Sequence, residues 1–245
     1  MINLKQSRAY HKIQLYRLLS KLIDDNDISS NIFFKGGTCS SMLGFLDRFS
    51  VDLDFDLKIG ADKKVIRKKL YSIFKKLNLT IKDESKEALQ FFLKYEAPPG
   101  QRNTIKLDII DNLFESIDYS PQYFKDIDRT IICQTIESIF ANKLVALTDR
   151  FKKRNTIAGR DVYDIHYFFS HGYNYNKQVI EERTKEKTVD YLKTLKNFIE
   201  DKITQKIINQ DLNILLSDKK FQVIRKTLKA EVLILIKDEI KSILS

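Results

Sequence analysis

The sequence predicts an α+β N-terminal half followed by an α-helical C-terminal half, divided near residue 130 into regions 1–130 and 131–245. Two patterns carry this. Short runs between residues 32 and 111 alternate apolar and polar side chains, as half-buried strands do. From residue 135 onward, apolar residues recur at helical spacing almost without a break. No internal repeat or low-complexity linker interrupts the chain.

Taken in order, residues 4–24 form a helix whose apolar positions are Ile13, Leu15, Tyr16, Leu18, Leu19, Leu22 and Ile23, closing in the loop Asp24-Asp25-Asn26-Asp27. Ile32, Phe33 and Phe34 read as a short buried strand, Gly36-Gly37 as a tight turn, and Thr38 to Leu46 as a helix with Met42, Phe45 and Leu46 on its apolar face. A strand over 50–57 puts Val51, Leu53, Phe55 and Leu57 on one face and Ser50, Asp52, Asp54 and Asp56 on the other. A helix over 62–77 follows, then strands over 79–83, 88–96 and 104–111, the last two separated by the turn Ala97-Pro98-Pro99-Gly100. The helical half shows apolar stripes over 176–208, 210–217 and 220–244.

At 245 residues the chain is long enough to bury roughly 70 to 75% of its unfolded surface. Its hydrophobic content of 43% supports a core. No window approaches the ~18 uninterrupted apolar residues of a membrane span, and an N-terminus carrying Lys5, Arg8 and Lys12 has no secretory core, so a cytoplasmic location is expected. Cys39 and Cys133 are too few for a disulfide framework or zinc site, and His11, His166 and His171 are too scattered for a metal cluster. His166 and His171 read as residues that cap or decorate a helix end. The 43 basic against 33 acidic residues give a net charge of +10, which favours a polyanionic partner, nucleic acid first. Each basic run, such as Arg67-Lys68-Lys69 or Lys152-Lys153-Arg154, read alone is a solvated helix face.

The chemistry concentrates in residues 35–56. Carboxylates one pleat repeat apart, roughly 6.5 to 7 Å, repel by about 2.5 kcal/mol at an effective dielectric near 20. A row of three acids therefore calls for cations, and hard oxygen ligands suit Mg2+ or Mn2+ held jointly with substrate phosphates. Upstream, strand, glycine turn and helix start make a phosphate cradle of Gly36, Gly37 and Thr38. A nucleoside triphosphate with its metal satisfies both halves. On the strand over 104–111, Asp108 shares an outward face with Lys106, the plain reading being a surface pair. Lys143 interrupts the stripe Ile136, Ile139, Phe140, Leu147 and Phe151, so it either snorkels out or points into a cleft. Arg150 lies two turns along the same face, and Asp149 and Lys153 are spaced as a surface pair. In Arg160-Asp161-Val162-Tyr163-Asp164, the i,i+4 spacing allows an Arg160–Asp164 bridge.

Lys35-Gly36-Gly37-Thr38 followed by Arg48-Phe49-Ser50-Val51-Asp52-Leu53-Asp54-Phe55 resembles the signature of the AbiEii/MenT family of nucleotidyltransferase-like toxins, in the DNA polymerase β superfamily. Lys106-Leu107-Asp108-Ile109, Lys143-Leu144-Val145-Ala146-Leu147 with Arg150, and Arg160-Asp161-Val162-Tyr163-Asp164 resemble its later motifs in the expected order. The Gly-Gly-Thr turn departs from the superfamily's usual Gly-Ser and is the family's own variant. The matches span residues 33–168; the C-terminal third carries no signature.

The resemblance implies a polymerase β-like mixed sheet with helices, and a helical domain completing the active-site cleft. It implies Asp52, Asp54 and Asp108 as catalytic metal ligands and Lys143 and Asp161 as further catalytic residues, with Asp164 the alternate acid. It also implies a nucleotide site from Lys35, Gly36, Gly37, Thr38, Ser50, Lys143 and Arg150. The implied activity is metal-dependent transfer of a nucleoside monophosphate from an NTP to RNA, tRNA in the best-known branch, by a toxin of a toxin–antitoxin or phage-defence system with a cognate antitoxin. An EF-hand reading of Asp52-x-Asp54-x-Asp56 fails because Leu57 and Lys63 stand where glycine and glutamate are needed. An aspartyl phosphatase leaves the glycine turn unexplained. The remaining competitor is a non-catalytic nucleotide- or RNA-binding module that has kept the fold.

Overall fold

The computed structural model describes residues 4–111 and 114–245. In chain order the elements of the N-terminal part are α1 (Leu4–Ile23), α2 (Asn26–Ser29), β1 (Ile32–Lys35), α3 (Gly36–Met42), β2 (Asp52–Leu57), α4 (Lys63–Lys76), β3 (Thr80–Glu84), β4 (Leu89–Lys94), β5 (Thr104–Asp111), β6 (Tyr119–Phe124) and β7 (Arg129–Gln134). Seven helices follow: α5 (Ile136–Arg154), α6 (Gly159–Ser170), α7 (Lys177–Thr184), α8 (Thr188–Lys202), α9 (Gln205–Leu212), α10 (Asp218–Ile224) and α11 (Leu228–Leu244). The chain divides into two units. The first comprises Met1–Gly44, Phe49–Leu113 and Tyr119–Gln134; the second comprises Phe45–Arg48, Phe114–Asp118 and Thr135–Ser245.

In the first unit all seven strands form one mixed sheet in the order β3-β4-β5-β2-β1-β7-β6. The pairs β2–β5 and β1–β7 are parallel and the rest antiparallel. The pleat sorts the side chains of β2 as its alternation requires. Leu53, Phe55 and Leu57 are buried with Leu107, Ile109, Phe91, Leu89 and Phe34, and α1 and α4 pack on the sheet. Phe34 stacks on Phe55 with ring centroids 5.0 Å apart, and Phe74 of α4 meets Phe91 edge-on at 5.2 Å. Asp62 caps α4 by accepting from the Lys64 and Val65 amides.

The helical unit is held by the apolar faces of α5, α6, α8 and α11. Ile139, Phe140, Leu144, Val162, Ile165, Leu192, Leu195, Val232 and Ile236 are all buried. At the start of α6, a Cβ on Gly159 would lie 2.8 Å from the Ile207 carbonyl oxygen, so only glycine lets α6 approach α9 this closely. Tyr191 of α8 donates to the Leu144 carbonyl at 2.9 Å, satisfying a buried hydroxyl. Among the described residues no helix is long and apolar enough to cross a membrane.

Several elements differ from the pattern expected. Gly36-Gly37 is not a free turn but the start of α3, and that helix ends at Met42, leaving Phe45 and Leu46 in the following loop and, by packing, in the second unit. The acidic loop after α1 forms the short helix α2, capped by the Asp25 side chain. The stripe over 176–208 is split into α7, α8 and α9 by Lys185, which adopts a left-handed conformation (φ 61°), and by extended Ile203. The alternation gives no strand after residue 111, yet β6 and β7 extend the sheet beyond β1.

Candidate active site

The polar face of the sheet in the first unit carries the acids. In the β2–β5 pairing Asp54 lies directly across from Asp108, and Asp52 across from Lys106, so these four side chains share one face. Asp52, Asp54 and Asp108 are half-buried. Burial, and then the negative charge of Asp52 and Asp108, push the Asp54 carboxyl up to about 6, with Lys35 and Lys106 opposing. The Asp108 oxygens are engaged by neighbours: Lys106 Nζ donates at 2.5 Å and Gln90 Nε2, opposite on β4, lies 3.2 Å from both.

Asp56, the third acid of β2, is 2% exposed and has a different role. Lys35 Nζ donates to it at 2.5 Å, Gln134 Nε2 at 2.5 Å and the Tyr119 hydroxyl at 2.8 Å. Its charge is therefore matched inside the fold by a cation and two neutral donors. The same contacts commit Lys35, expected at the nucleotide, to an ion pair in this state of the molecule.

The segment 36–38 is built around the acidic strand. Gly36 has φ +80°, and a Cβ there would stand 2.8 Å from Asp54 Oδ2. Two constraints, backbone conformation and space, thus demand glycine beside the carboxylate. The Thr38 hydroxyl is 2.8 Å from the Ser50 hydroxyl and bonds the Asp52 carbonyl, tying α3 to the start of β2. Gly37 and Thr38 are buried and Ser50 half-buried.

Behind β2, His11 of α1 is fully buried. Its Nε2 donates to the Val51 carbonyl at 3.0 Å and its Nδ1 accepts from the Tyr95 hydroxyl at 2.6 Å. Burial lowers its pKa to about 4, the Val51 bond opposing and the Arg102 charge assisting.

In the helical unit, Lys143, Arg150 and Asp161 come together. Lys143 Nζ is 3.4 Å from Asp161 and 2.9 Å from Asp164; Arg150 Nη2 is 3.3 Å from the other Asp161 oxygen. The Arg160–Asp164 bridge allowed by spacing is replaced by a longer-range pair. Arg48 grips both Asp164 oxygens, at 2.5 and 2.7 Å, with both side chains almost wholly buried. Burial works against the Asp164 charge, but Arg48 and Lys143 hold its carboxyl below the ordinary range. Asp161 and Asp164 are both buried and each faces two cations, Asp161 meeting Lys143 and Arg150, Asp164 meeting Lys143 and Arg48. Asp149 pairs with Arg183 of α7 at 2.7 Å instead of the Lys153 expected from spacing. His171 ends α6 and stacks on Tyr167; His166 contacts Glu231 of α11 at 2.7 Å.

The sequence model of the nucleotidyl transferase AbiEii toxin family, of type IV toxin–antitoxin systems, matches residues 17–230. The chain belongs to this family. It is a nucleotidyltransferase. No curated protein matches it. Solved structures with a similar fold include a candidate nucleotidyltransferase from Helicobacter pylori, with TM-score 0.58, 20% identity and 96% of this chain covering 95% of that one. JHP933 from Helicobacter pylori gives TM-score 0.54 at 19% identity, covering 96% of each chain. MenT4, a nucleotidyltransferase toxin from Mycobacterium tuberculosis, gives 0.53 at 14%, with 94% of this chain covering 85% of that one. These neighbours bear on the fold, and they agree with the mixed sheet and helical half of this AbiEii chain.

The family raises the question of a divalent metal. Among the described residues no three His, Cys, Asp or Glu side chains are gathered into metal-holding geometry. The donor chemistry nevertheless fits Mg2+ or Mn2+: three hard carboxylates share one face, and of the two causes that raise Asp54, burial and then the charge of Asp52 and Asp108, the second is what a divalent ion relieves. Sequence reasoning gave no role to Gln90, Tyr119 and Gln134, and named Arg48 only as part of the signature, without its partner Asp164. The partners of Gln90, Arg48, Tyr119 and Gln134 lie 18, 116, 63 and 78 residues away along the chain, and no periodic pattern encodes such pairings.

Proposed function

We propose that this AbiEii-family chain transfers a nucleoside monophosphate from an NTP to RNA, tRNA being the acceptor the family resemblance suggests, in a reaction that depends on Mg2+ or Mn2+. The observation that carries the metal part is the placement of Asp54 across from Asp108 with Asp52 on the same face. In this reading Asp52, Asp54 and Asp108 hold the cation, which when bound neutralises phosphate charge and polarises the reacting phosphoryl group. Gly36, Gly37, Thr38 and Ser50 line the phosphates, Gly36 allowing close approach next to Asp54. Lys35 exchanges part of its bond to Asp56 for the triphosphate. Asp108 accepts the acceptor hydroxyl's proton as that oxygen attacks the α-phosphorus and pyrophosphate departs. In the helical unit, Lys143 and Asp161 are the proposed catalytic residues and Arg150 a nucleotide-binding residue. Asp161 holds both cations within 3.4 Å and so fixes their direction. An antitoxin protein and action in the cytoplasm complete the proposal.

The deciding experiment is titration calorimetry of each NTP with and without Mg2+, on the parent and on Asp52→Asn. Metal-dependent heat in the parent and its loss in a folded variant support the reading. Equal binding by both overturns the assignment of the acidic strand and favours the non-catalytic alternative.

A further inference from the structure

We propose that Lys106 is a positioning residue that withholds the Asp108 carboxylate until a divalent cation displaces it, so that ammonium and metal compete for one side chain. The inference rests on the metal reading above. Lys106 shares its face with Asp52, Asp54 and Asp108 and stands across from Asp52 in the strand register. Its Nζ is 2.5 Å from Asp108 Oδ2, while the Gln90 amide lies 3.2 Å from both Asp108 oxygens. Asp108 is thus clasped from β4 and from its own strand, and no three acids are gathered for a metal among the described residues. The clasp accounts for that arrangement: a carboxylate that satisfies an ammonium and an amide is not free to close on its two partner acids.

The clasp is also releasable. The Lys106 and Asp108 side chains are 27% and 17% exposed, so the lysine stem has a path to solvent or to a phosphate when a doubly charged ion enters. The same ammonium offsets the repulsion of the acids while no metal is bound, which keeps the polar face folded. Gln90 stays hydrogen bonded through the exchange and orients the released carboxylate.

The test measures Mn2+ binding to the full chain by electron paramagnetic resonance, without nucleotide, together with thermal melting. Lys106→Met is expected to bind Mn2+ roughly tenfold more tightly, the ordinary size of coupling between competing ligands, while melting lower than the parent when no metal is present. Lys106→Arg keeps the charge and should stay near the parent. Lys63→Met removes an equal charge from the lysine that pairs with Asp111 at the end of β5 and should also stay near the parent. If Lys106→Met fails to fold, Lys106→Gln takes its place with the same expectation. Mn2+ affinity unchanged or weakened in the Lys106 variant, with the parent binding normally, overturns the inference alone. Equal tightening in Lys63→Met overturns it too, because net charge would then suffice. A parent that binds no Mn2+ without nucleotide also overturns the inference, since no metal then competes with Lys106 for the nucleotide-free site, and leaves the metal reading to the calorimetry with NTP.

Discussion

A single hydrogen atom in place of a side chain decides how the acidic strand is approached. Gly36 adopts φ +80° and leaves a Cβ-sized space 2.8 Å from Asp54 Oδ2. Gly36→Ala therefore meets both backbone strain and a carboxylate, and the cost should be about 1 to 3 kcal/mol. Because the displaced group is Asp54, nucleotide transfer should fall by more than stability does; urea melts alongside single-turnover rates check this, and a variant with parental rates would free the segment of any role. His11 makes a second residue-scale prediction. Its folded pKa of about 4 lies below the ordinary 6.5, so the unfolded chain takes up a proton first. Stability from the neutral imidazole is complete above about pH 6.5 and is lost as pH falls towards 4, by up to about 3 kcal/mol for the full shift. Protonation would also turn Nδ1 into a donor, releasing the Tyr95 hydroxyl to the Arg102 carbonyl 2.8 Å away, which offsets part of that loss. His11→Gln keeps a donor for Val51 without the titration, so its denaturation midpoint should be flatter than the parent's across this window. Parallel pH curves for the two proteins would refute the assignment.

At the level of elements, charges of the helical unit form a chain from the buried loop residue Arg48 to Asp164 and Lys143, then through Asp161 to the partly exposed Arg150, joining α5 to α6. Removing the end at Arg48 and removing the middle at Lys143 have unequal consequences. Arg48→Leu leaves Asp164 with only Lys143, and breaking a buried pair this way typically costs about 3 to 5 kcal/mol. Lys143→Met leaves Asp164 its two bonds from Arg48 and Asp161 its bond from Arg150, so a smaller loss of about 1 to 2 kcal/mol is expected, with transfer abolished. Chemical denaturation that ranks the two variants in the opposite order would show that Lys143, not Arg48, holds α6. An apolar stripe alone would favour Met at this position, and the two acids facing Lys143 reverse that preference. Legibility follows the same line. The face of β2 and the helices α1 and α4 were readable because alternation and 3.6-residue spacing are local. The edge strand β6 was not. Its segment Tyr-Ser-Pro-Gln-Tyr-Phe carries a proline, buries only Phe124, and so lacks the alternating apolar side chains that mark a strand. Asp52 and Asp54 stood out by spacing, as did the pairing of Lys106 with Asp108, whose role came from the family resemblance; Lys35, Gln90, Tyr119 and Gln134, which hold Asp56 and Asp108, come from other strands.

At the scale of the whole chain, the net charge of +10 has to be reconciled with a reaction proposed at a row of carboxylates. Positive charge carried in runs such as Arg67-Lys68-Lys69 and Lys152-Lys153-Arg154 attracts polyanions irrespective of base sequence, and it does so through counterion release. An RNA acceptor would then be held mainly by phosphate contacts, with affinity falling by a slope of about 0.7 per neutralised phosphate on a log–log salt plot for single-stranded segments. Small nucleotide binding engages few phosphates and should depend far less on salt. The prediction is a divergence: raising salt from about 50 to 200 mM should lower labelling of RNA many-fold, through the acceptor, while leaving metal-dependent NTP affinity within a few-fold. The measurement incubates the protein with Mg2+, each α-labelled nucleotide in turn and total cellular RNA, and follows label in RNA beside calorimetric NTP affinity at both salts. Label in RNA from one nucleotide, lost at the higher salt, supports the RNA acceptor and names the base. Label that appears only in protein or small molecules refutes it while leaving nucleotidyl transfer in place, because the acidic strand would then be serving a different hydroxyl.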